Sequence, residues 1–318
     1  MSKVTITDHS FPSIDLQKSV LADAGFDLGE IQPICKTEDN VINNCKNTEV
    51  LLVQWAPITR KVLEKLPEVK CIVRYGVGVN NFDLEAAKDL GVTAVNVPDF
   101  CLEEVSDHAM AMILSLCRRI PQDHSQILRG GWGIGDFRPI PAFSDLTIGL
   151  VSFGQISRLV AQKAKCFRFN VVAFDPLLPD EVFNKLGVER VDLDTLLAKS
   201  DIVSLHCPLV PATTGLINRD SLAKMKPRAI LINTSRGPVV DEQAMIEALK
   251  SGQLGGAGLD VFEVEPLPAG SPLREFNNVI LTSHAASVSE RAVDNLQIKA
   301  AEAARDFLLG KRPASALV

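Results

Sequence analysis

Short apolar runs alternate with amphipathic stretches from the N-terminus to about residue 97. The strand candidates are Val4–Thr7, Phe26–Pro33, Val50–Val53, Cys71–Val73 and Thr93–Val95. Helical spacing of apolar residues predicts helices at Asp15–Ala24, Thr59–Leu66 and Leu84–Leu90. Alternation of this kind indicates a parallel sheet covered by helices.

The same alternation continues to the end of the chain. Predicted helices are Leu102–Arg119, Ile156–Cys166 and Glu290–Leu309, and predicted strands are Thr147–Val151, Asn170–Phe174, Asp201–Leu205, Ala229–Asn233, Ala257–Val261 and Val279–Thr282. We expect the last helix to cross back to the first α/β unit. Residues 130–145 are rich in Gly and Pro and predict an irregular arm. Its Trp132 either reaches a partner subunit or a substrate pocket, or packs on the protein's own surface.

The stretch Leu146–Asp175 has the order that a dinucleotide-binding unit requires: strand, small-residue turn, helix, strand and terminal acid. Backbone N–H groups at the start of the helix can face a pyrophosphate, where the helix dipole also favours anions. Asp175 follows Gly154 by 21 residues, where a carboxylate can accept hydrogen bonds from ribose hydroxyls. Ser152 and Ser157 replace the first and third glycines of the fingerprint, so a βαβ unit that binds no nucleotide stays open as the alternative.

Polar residues accumulate where the later strands end, at the edge where open α/β sheets bind ligands. These segments are His206-Cys207-Pro208, Thr234-Ser235-Arg236-Gly237, Glu263 with Glu265, and Ser283-His284. In the first part of the chain, the glycine turn within residues 74–81 follows a predicted strand. Its exposed amides predict a carboxylate cradle, with a plain glycine turn as the alternative.

The amino-acid composition of the chain limits the kinds of molecule that we expect it to bind. The net charge of −6 and a pI near 5.5 argue against nucleic acid or an anionic membrane as the main partner. The longest apolar runs are too short for a transmembrane helix, and the N-terminal residues lack the apolar core of a signal peptide. Seven scattered cysteines without a C-x-x-C pair indicate reduced thiols in a cytoplasmic protein. Because the five histidines are dispersed, we expect no metal site.

Arg236, Glu265 and His284 are the residues whose chemistry suits reduction of a ketone. Hydride transfer to a carbonyl carbon builds negative charge on its oxygen, and a histidine can give that oxygen a proton near neutral pH. A carboxylate bonded to the other ring nitrogen fixes the tautomer and favours the charged form. A guanidinium can bind a 2-oxo acid in a planar, two-pronged contact. Each residue alone has a more ordinary role, as a surface charge or a satisfied core residue.

Four sequence blocks carry a resemblance to a known family. They are Thr147-Ile148-Gly149-Leu150-Val151-x-Phe153-Gly154-x-Ile156, Leu231-Ile232-Asn233-Thr234-Ser235-Arg236-Gly237-x-Val239-Val240-Asp241-Glu242, Gly258-Leu259-Asp260-Val261-Phe262-Glu263-x-Glu265-Pro266 and Ser283-His284-Ala285-Ala286. In this order they resemble the signature blocks of the D-isomer-specific 2-hydroxyacid dehydrogenases. That family includes phosphoglycerate, glyoxylate and hydroxypyruvate dehydrogenases, and also the C-terminal-binding-protein corepressors.

The resemblance implies two doubly wound parallel-sheet domains, with a Rossmann NAD-binding domain (residues 98–289) inserted in a flavodoxin-like substrate domain (residues 1–97 plus 290–318). It also implies NAD as cofactor, a small 2-oxo or 2-hydroxy acid as substrate, and a homodimer. Arg236 would bind and polarise the substrate, Glu265 would hold His284, and His284 would carry the proton. The resemblance assigns substrate binding to Val77, Gly78 and Arg74. It assigns contacts with the cofactor to Gly154, Gln155, Ile156, Asp175, His206, Cys207, Pro208, Thr234, Asp260, His284 and Ala286.

Several positions depart from the family pattern. Ser152 stands in place of a glycine, and Ser283 in place of the proline before the catalytic histidine. Phosphoglycerate dehydrogenases usually carry a phosphate-binding arginine where this chain has Gln54, which weighs against 3-phosphoglycerate. Arg74 and the Phe174-Asp175-Pro176-Leu177 stretch resemble the corepressor-like branch. The alternative to an enzyme is therefore an NADH-sensing, corepressor-like binding protein with little catalysis.

Overall fold

The computed structural model describes residues 4–30 and 34–318, which divide into two compact units. The first unit holds the described residues up to Cys101 together with Val288–Val318, and the second holds Leu102–Ser287. The sequence predicts domain boundaries at 97/98 and 289/290, and the two units divide at 101/102 and 287/288.

The first unit is built on a five-stranded parallel sheet. Its strands are β1 (Val4–Ile6), β2 (Leu28–Glu30), β3 (Val50–Val53), β4 (Cys71–Arg74) and β5 (Thr93–Val95), and the helices among them are α1 (Asp15–Ala22), α2 (Glu38–Asn44), α3 (Arg60–Lys65) and α4 (Leu84–Asp89). The strand order is β2-β1-β3-β4-β5, which is the flavodoxin order. The central strands β3 and β4 are almost wholly apolar because helices cover both faces of the sheet.

The second unit is built on a seven-stranded parallel sheet. Its strands are β6 (Thr147–Val151), β7 (Asn170–Phe174), β8 (Glu189–Arg190), β9 (Ile202–Leu205), β10 (Ala229–Asn233), β11 (Leu254–Leu259) and β12 (Val279–Leu281). Its helices are α5 (Leu102–Cys117), α6 (Ile120–Leu128), α7 (Gln155–Cys166), α8 (Asp180–Lys185), α9 (Leu193–Lys199), α10 (Arg219–Lys224) and α11 (Glu242–Ser251). The strand order β12-β11-β10-β9-β6-β7-β8 reverses direction between β6 and β9, which is the switch point where Rossmann folds bind nucleotides.

The last helix, α12 (Glu290–Leu308), belongs to the first unit and packs against α1 and beside β3 and β4. Its buried face is made of small residues with Leu296, so the helix approaches its neighbours closely. A buried hydrogen bond of 3.0 Å joins Gln17 of α1 to Gln297 of α12. The predicted fold class, two doubly wound parallel-sheet domains with a Rossmann domain inserted in a flavodoxin-like one, is confirmed. None of the described helices is long and apolar enough to cross a membrane.

Some predicted boundaries are wrong, and each has a local cause. The strand predicted over Phe26–Pro33 begins only at Leu28, and residues 31–33 of that prediction lie outside the described residues. The helix predicted to reach Arg119 ends at Cys117, because Arg119 adopts a left-handed conformation (φ 57°) before α6 begins. Strand β11 begins at Leu254, before the predicted Ala257. Its first residues include Gly255, where a Cβ would lie 2.2 Å from the Arg228 carbonyl oxygen.

Candidate active site

The carboxyl ends of the second sheet bring His284 and Glu265 into contact. Glu265 Oε2 lies 2.8 Å from His284 Nδ1, and Glu265 Oε1 accepts a hydrogen bond of 3.0 Å from the Phe262 N–H. The carboxylate is thus held from both sides, and it fixes the imidazole ring through Nδ1. The His284 side chain is 48% exposed, so its opposite ring nitrogen, Nε2, is placed for chemistry at the surface of this unit.

Glu265 is ionised at neutral pH. Burial raises the pKa of its carboxyl, but the hydrogen bonds from His284 and the Phe262 N–H and the charges of His284 and Arg236 outweigh burial and lower the pKa below its usual value. The imidazole of His284 therefore contacts a negative charge. A histidine held in this way can give up and take back a proton.

The loop that carries His284 is fixed by Asp260, which is 1% exposed. Its carboxylate accepts hydrogen bonds from the N–H groups of Ala285 (2.8 Å) and Ala286 (3.0 Å) and from the Thr282 hydroxyl (2.5 Å). The His284 N–H also donates to the Asp260 carbonyl at 2.9 Å. His284 adopts φ 55°, an unfavourable conformation for histidine that these bonds hold in place. The contact of Asp260 with the cofactor stays a prediction.

Arg236 lies in a turn that one buried amide organises. Asn233, 1% exposed at the end of β10, accepts hydrogen bonds from the Ser235 N–H and hydroxyl and donates one of 2.9 Å to the Arg236 carbonyl. The Arg236 guanidinium donates to the Ser235 carbonyl at 2.6 Å. The positive charge of Arg236 also acts on Glu265, because it lowers the pKa of that carboxyl. The three predicted catalytic residues thus lie in the segments after three neighbouring strands, β10, β11 and β12.

Gly237 explains why these two loops come so close. A Cβ built on Gly237 would lie 1.9 Å from the carbonyl carbon and oxygen of Phe262 and 2.5 Å from the Glu263 nitrogen. Only a residue without a side chain lets the loop after β10 pack on the loop after β11. The backbone contact at Gly237 thus sets the separation between Arg236 and Glu265.

The glycine loop between β6 and α7 has the form of an anion site. Gly154 is the N-cap of α7 and no side chain within the described ranges caps this end, so the first N–H groups, including those of Gln155 and Ile156, are available to an anion. A Cβ on Gly154 would have no described heavy atom within 4 Å, and its φ of −68° suits any residue. The fold itself therefore does not require glycine here, whereas a pyrophosphate lying against the backbone would. These residues fit a dinucleotide.

Asp175, at the end of β7, turns back onto the same loop. It is only 7% exposed, and its Oδ2 accepts hydrogen bonds from the Ser152 hydroxyl (3.1 Å) and the Phe153 N–H (2.9 Å). Its Oδ1 accepts one of 3.0 Å from the Leu177 N–H. Ser152 adopts φ 70°, the left-handed region expected for the glycine that it replaces. The bond between Ser152 and Asp175 could not be inferred from the sequence.

The ends of β9 and β10 supply further polar groups at this edge of the sheet. Burial lowers the pKa of His206 to about 4, so its imidazole is neutral at pH 7, and its Nε2 lies 2.9 Å from the Ser204 hydroxyl. Burial raises the pKa of the adjacent Cys207 to about 11, which keeps it a thiol. The Thr234 hydroxyl oxygen is buried without a hydrogen-bond partner among residues 4–30 and 34–318, as expected of a group that awaits a ligand.

The predicted substrate-binding residues Arg74, Val77 and Gly78 lie in the first unit, in the turn after β4. The Val77 carbonyl accepts a hydrogen bond of 2.7 Å from the Asn96 amide, which anchors the turn to the segment after β5. The Arg74 guanidinium donates to the Tyr75 carbonyl, and a Cβ on Gly76 would lie 3.2 Å from Arg74 Nη1. This arginine is therefore folded over its own glycine turn.

Sequence reasoning missed Asp8, which organises the same edge of the first sheet. Asp8 is 2% exposed and accepts hydrogen bonds from the N–H groups of Gln54 (3.1 Å), Trp55 (2.5 Å) and Ala56 (3.2 Å). The Gln54 side chain is bound to Ser10, whose N–H donates to Gln54 Oε1 at 2.7 Å. An aspartate directly after the first apolar run was the available signal, because buried acids at strand ends often bind the N–H groups of neighbouring loops.

Comparisons with protein families and with known proteins show which proteins this chain is similar to. Residues 110–286 match the family described as D-isomer specific 2-hydroxyacid dehydrogenase, NAD binding domain. A glyoxylate reductase from Korarchaeum cryptofilum is 36% identical over 277 residues, which are 86% of this chain and 83% of that protein. A D-3-phosphoglycerate dehydrogenase from Methanocaldococcus jannaschii is 38% identical over 90% of this chain but only 55% of its own length. The chain thus spans about half the length of the phosphoglycerate dehydrogenases that it matches first.

Solved structures agree with these sequence relatives. A D-lactate dehydrogenase from Aquifex aeolicus, crystallised with NAD and lactic acid, superposes with a TM-score of 0.86. It is 26% identical, and the match covers 96% of each chain. The similarity therefore extends over both units of the chain.

Proposed function

Because this chain belongs to the D-isomer specific 2-hydroxyacid dehydrogenase family and carries its NAD-binding domain, we propose that it interconverts a small 2-oxo acid and the D-isomer of the matching 2-hydroxy acid. The observation that carries the proposal is the contact between Glu265 and His284, with the charge of Arg236 beside it. A proton carrier, the carboxylate that orients it and a cation for the substrate are the groups that ketone reduction requires.

The nicotinamide supplies the hydride in reduction and takes it up in oxidation when the cofactor is bound. The protein's own groups handle the proton and the charge. His284, protonated and oriented by Glu265, gives its Nε2 proton to the carbonyl oxygen of the 2-oxo acid as the C–H bond forms. Arg236 binds the substrate and stabilises the negative charge that develops on that oxygen. In the reverse direction neutral His284 accepts the hydroxyl proton.

The remaining predicted site residues take their roles in the same proposal. In the second unit, Gly154, Gln155 and Ile156 would bind the pyrophosphate. Asp175 would bind the adenosine ribose, and its negative charge favours NAD over NADP. The other proposed cofactor contacts are His206, Cys207, Pro208, Thr234, Asp260, His284 and Ala286. In the first unit, Val77, Gly78 and Arg74 would bind the substrate carboxylate.

The intact proton relay favours an enzyme over an NADH-sensing binding protein. A sensor needs the cofactor loop but has no use for a histidine held in a strained conformation against an ionised glutamate. Strain of this kind persists where surrounding bonds impose it, and it clusters at active sites. The catalytic function is therefore the better account of residues 260–286.

We expect turnover of unphosphorylated 2-oxo acids and discrimination against phosphorylated ones. Gln54 is neutral and held by Ser10, while the nearby cations Arg60 and Lys61 are paired with Asp89 and Asp39. The exposed Trp55 offers an apolar surface at the same edge of the sheet. With NADH, the initial rate of absorbance loss should therefore give a kcat/KM at least about tenfold higher for unphosphorylated than for phosphorylated 2-oxo acids.

The substrate panel should hold glyoxylate, pyruvate, hydroxypyruvate, phenylpyruvate and 3-phosphohydroxypyruvate. Gln54→Arg should raise the rate with the phosphorylated compound specifically, since it adds the missing cation. No turnover of any 2-oxo acid by the wild-type protein would refute the proposed function. Preference for the phosphorylated substrate would refute only the specificity argument.

We also propose that the protein is a homodimer joined through α6 and the arm that follows it. This segment exposes five large apolar side chains within fifteen residues: Ile120, Ile127, Leu128, Trp132 and Ile134. Trp132 is 91% exposed, which is costly for a side chain of its size unless another surface covers it. Family members of the type that this chain resembles are typically homodimers, so a second copy is the partner that we propose.

Trp132→Glu should shift the protein from dimer to monomer, because a charge would have to be buried where an apolar side chain packs. Light scattering after size-exclusion chromatography at micromolar concentration measures the mass. Leu90→Glu is the matched control, since Leu90 is also exposed but lies in the first unit. A monomeric wild-type protein, or a Trp132→Glu variant that stays dimeric, would contradict this interface.

A cytoplasmic location completes the proposal. All seven cysteines are free, and six of them are buried. Buried free thiols are the usual form of cysteine in reducing compartments. Small, diffusible substrates and NAD(H) are then the only partners that the proposed reaction needs, apart from the second subunit.

A further inference from the structure

We propose that Ser152 is a positioning residue that aims the Asp175 carboxylate at the adenosine ribose and thereby strengthens the choice of NAD over NADP. The proposal rests on the proposed binding of the dinucleotide to this loop. It goes beyond it by giving a role to a residue at which the chain departs from the glycine fingerprint.

Serine at position 152 is not explained by the backbone alone. With φ 70°, the residue lies in the left-handed region, where glycine is favoured and serine is strained. Gly154 and Ser157 of the same fingerprint show no such conflict, because neither has a positive φ. A strained residue that persists in a loop calls for a compensating interaction.

The Ser152 hydroxyl makes that interaction. It donates to Asp175 Oδ2 at 3.1 Å, and the Phe153 N–H donates to the same oxygen at 2.9 Å. The Leu177 N–H donates to Oδ1 at 3.0 Å. Three hydrogen bonds thus hold the Asp175 carboxylate, and the residue is only 7% exposed. Hydrogen bonds to a carboxylate are stronger than those between neutral groups, so this arrangement resists rotation of the side chain.

Fixing the carboxylate serves recognition of the ribose in two ways. Oδ1 keeps acceptor capacity for a ribose hydroxyl, since a carboxylate oxygen can accept more than one bond. Because the carboxylate is held in place, it also cannot rotate away to make room for a 2′-phosphate. The nearby guanidinium of Arg190 offers little compensation to a phosphate, because it is bonded to Asp180 Oδ1 (2.7 Å) and to the Asp175 carbonyl (3.1 Å).

Two substitutions separate strain from hydrogen bonding. Ser152→Ala keeps the strained backbone and removes the hydroxyl, whereas Ser152→Gly removes both. We expect each variant to raise the Kd for NADH about tenfold, because the free protein would then hold the Asp175 carboxylate in the ribose-binding orientation only about a tenth of the time. The preference for NADH over NADPH should fall in both. Ser152→Gly should melt at or above the wild-type temperature, so weaker binding with equal or greater stability cannot come from general damage to the fold.

The Kd values are measured by fluorescence titration of the full-length protein with NADH and NADPH. Ser144→Ala is the matched control and should leave both Kd values unchanged, because Ser144 is an exposed serine of the same unit whose hydroxyl also donates to an aspartate, Asp145 Oδ1, at 3.4 Å. In a double-mutant cycle with Asp175→Asn, the effect of Ser152→Ala should largely disappear, since Ser152 acts through the Asp175 charge.

The failures of the two proposals can be told apart. If the wild-type protein does not bind NADH, the proposed cofactor site is wrong and this proposal falls with it. If the wild-type protein binds NADH and Ser152→Gly binds it as tightly or more tightly, only the role of Ser152 is wrong. An additive double-mutant cycle would have the same meaning.

Discussion

Replacing His284 with asparagine should lower kcat for 2-oxo acid reduction by a factor of about 10² to 10⁴, the usual contribution of a general acid. Asparagine is the sharpest replacement, because it tolerates the left-handed backbone of position 284 (φ 55°) better than most residues. Its amide can still donate to Glu265 Oε2, so the loop should keep its shape. What is lost is the ring nitrogen that carries the proton.

Steady-state rates with the best 2-oxo acid of the panel measure this effect. The melting temperature should stay within a few degrees of the wild type, and the Kd for NADH should change far less than kcat. Glu265→Gln is the companion variant, since it keeps a hydrogen-bond acceptor for Nδ1 and removes the negative charge beside the imidazole. A His284→Asn variant with wild-type kcat would show that another group carries the proton.

Replacing Gly237 with alanine should be nearly as damaging, although Gly237 has no chemistry of its own. The added methyl group would lie 1.9 Å from the Phe262 carbonyl, so the two loops would have to separate. Arg236 and Glu265 would then move apart, and a displacement of about 1 Å at a site of this kind costs about 10²-fold in rate. Overpacking should also lower the free energy of unfolding by about 1–3 kcal/mol.

Gly270→Ala is the control for this experiment. Gly270 lies in the same unit, has no positive φ, and has no described heavy atom within 4 Å of the position of a Cβ. It should therefore keep wild-type rates and stability. Chemical denaturation and the ratio kcat/KM are measured for both variants. If Gly237→Ala reduced stability but left kcat/KM unchanged, the spacing of the two loops would not matter for catalysis.

The strands of the fold could be read from the sequence where packing leaves a strong signal. The bounds of Thr147–Val151, Asn170–Phe174 and Ala229–Asn233 agree with the structure, because strands buried on both faces are continuous apolar runs. The sequence analysis missed helices α2, α6, α8, α9, α10 and α11 and the two-residue strand β8. Four of these helices have only six or seven residues, so the apolar period completes too few turns to stand out. Length does not explain the other two, since α6 has nine residues and α11 has ten.

The candidate site could be predicted by residue type but not by partnership. The sequence indicated that Glu265 and His284 have complementary chemistry, and the structure adds the contact between them. The bonds of Asp260 to its neighbouring loop and of Asp175 to Ser152 depend on side-chain rotamers and loop conformations. Three-dimensional packing sets these rotamers and loop conformations, and the pattern of residues along the sequence does not reveal them. Gly237 is similar, since its importance lies in a backbone that approaches from another loop.

The return of α12 to the first sheet has a consequence for how the protein is made. The Gln17–Gln297 bond joins residues 280 positions apart, and α12 covers part of the sheet formed by residues 4–95. During synthesis, the whole second unit emerges from the ribosome before α12 does. The second unit, which binds the nucleotide, is continuous in sequence and can fold before synthesis ends. The first unit still lacks α12 at that stage, so part of its sheet keeps an uncovered apolar face. Newly made chains should therefore depend most on chaperones while the last helix is still being translated.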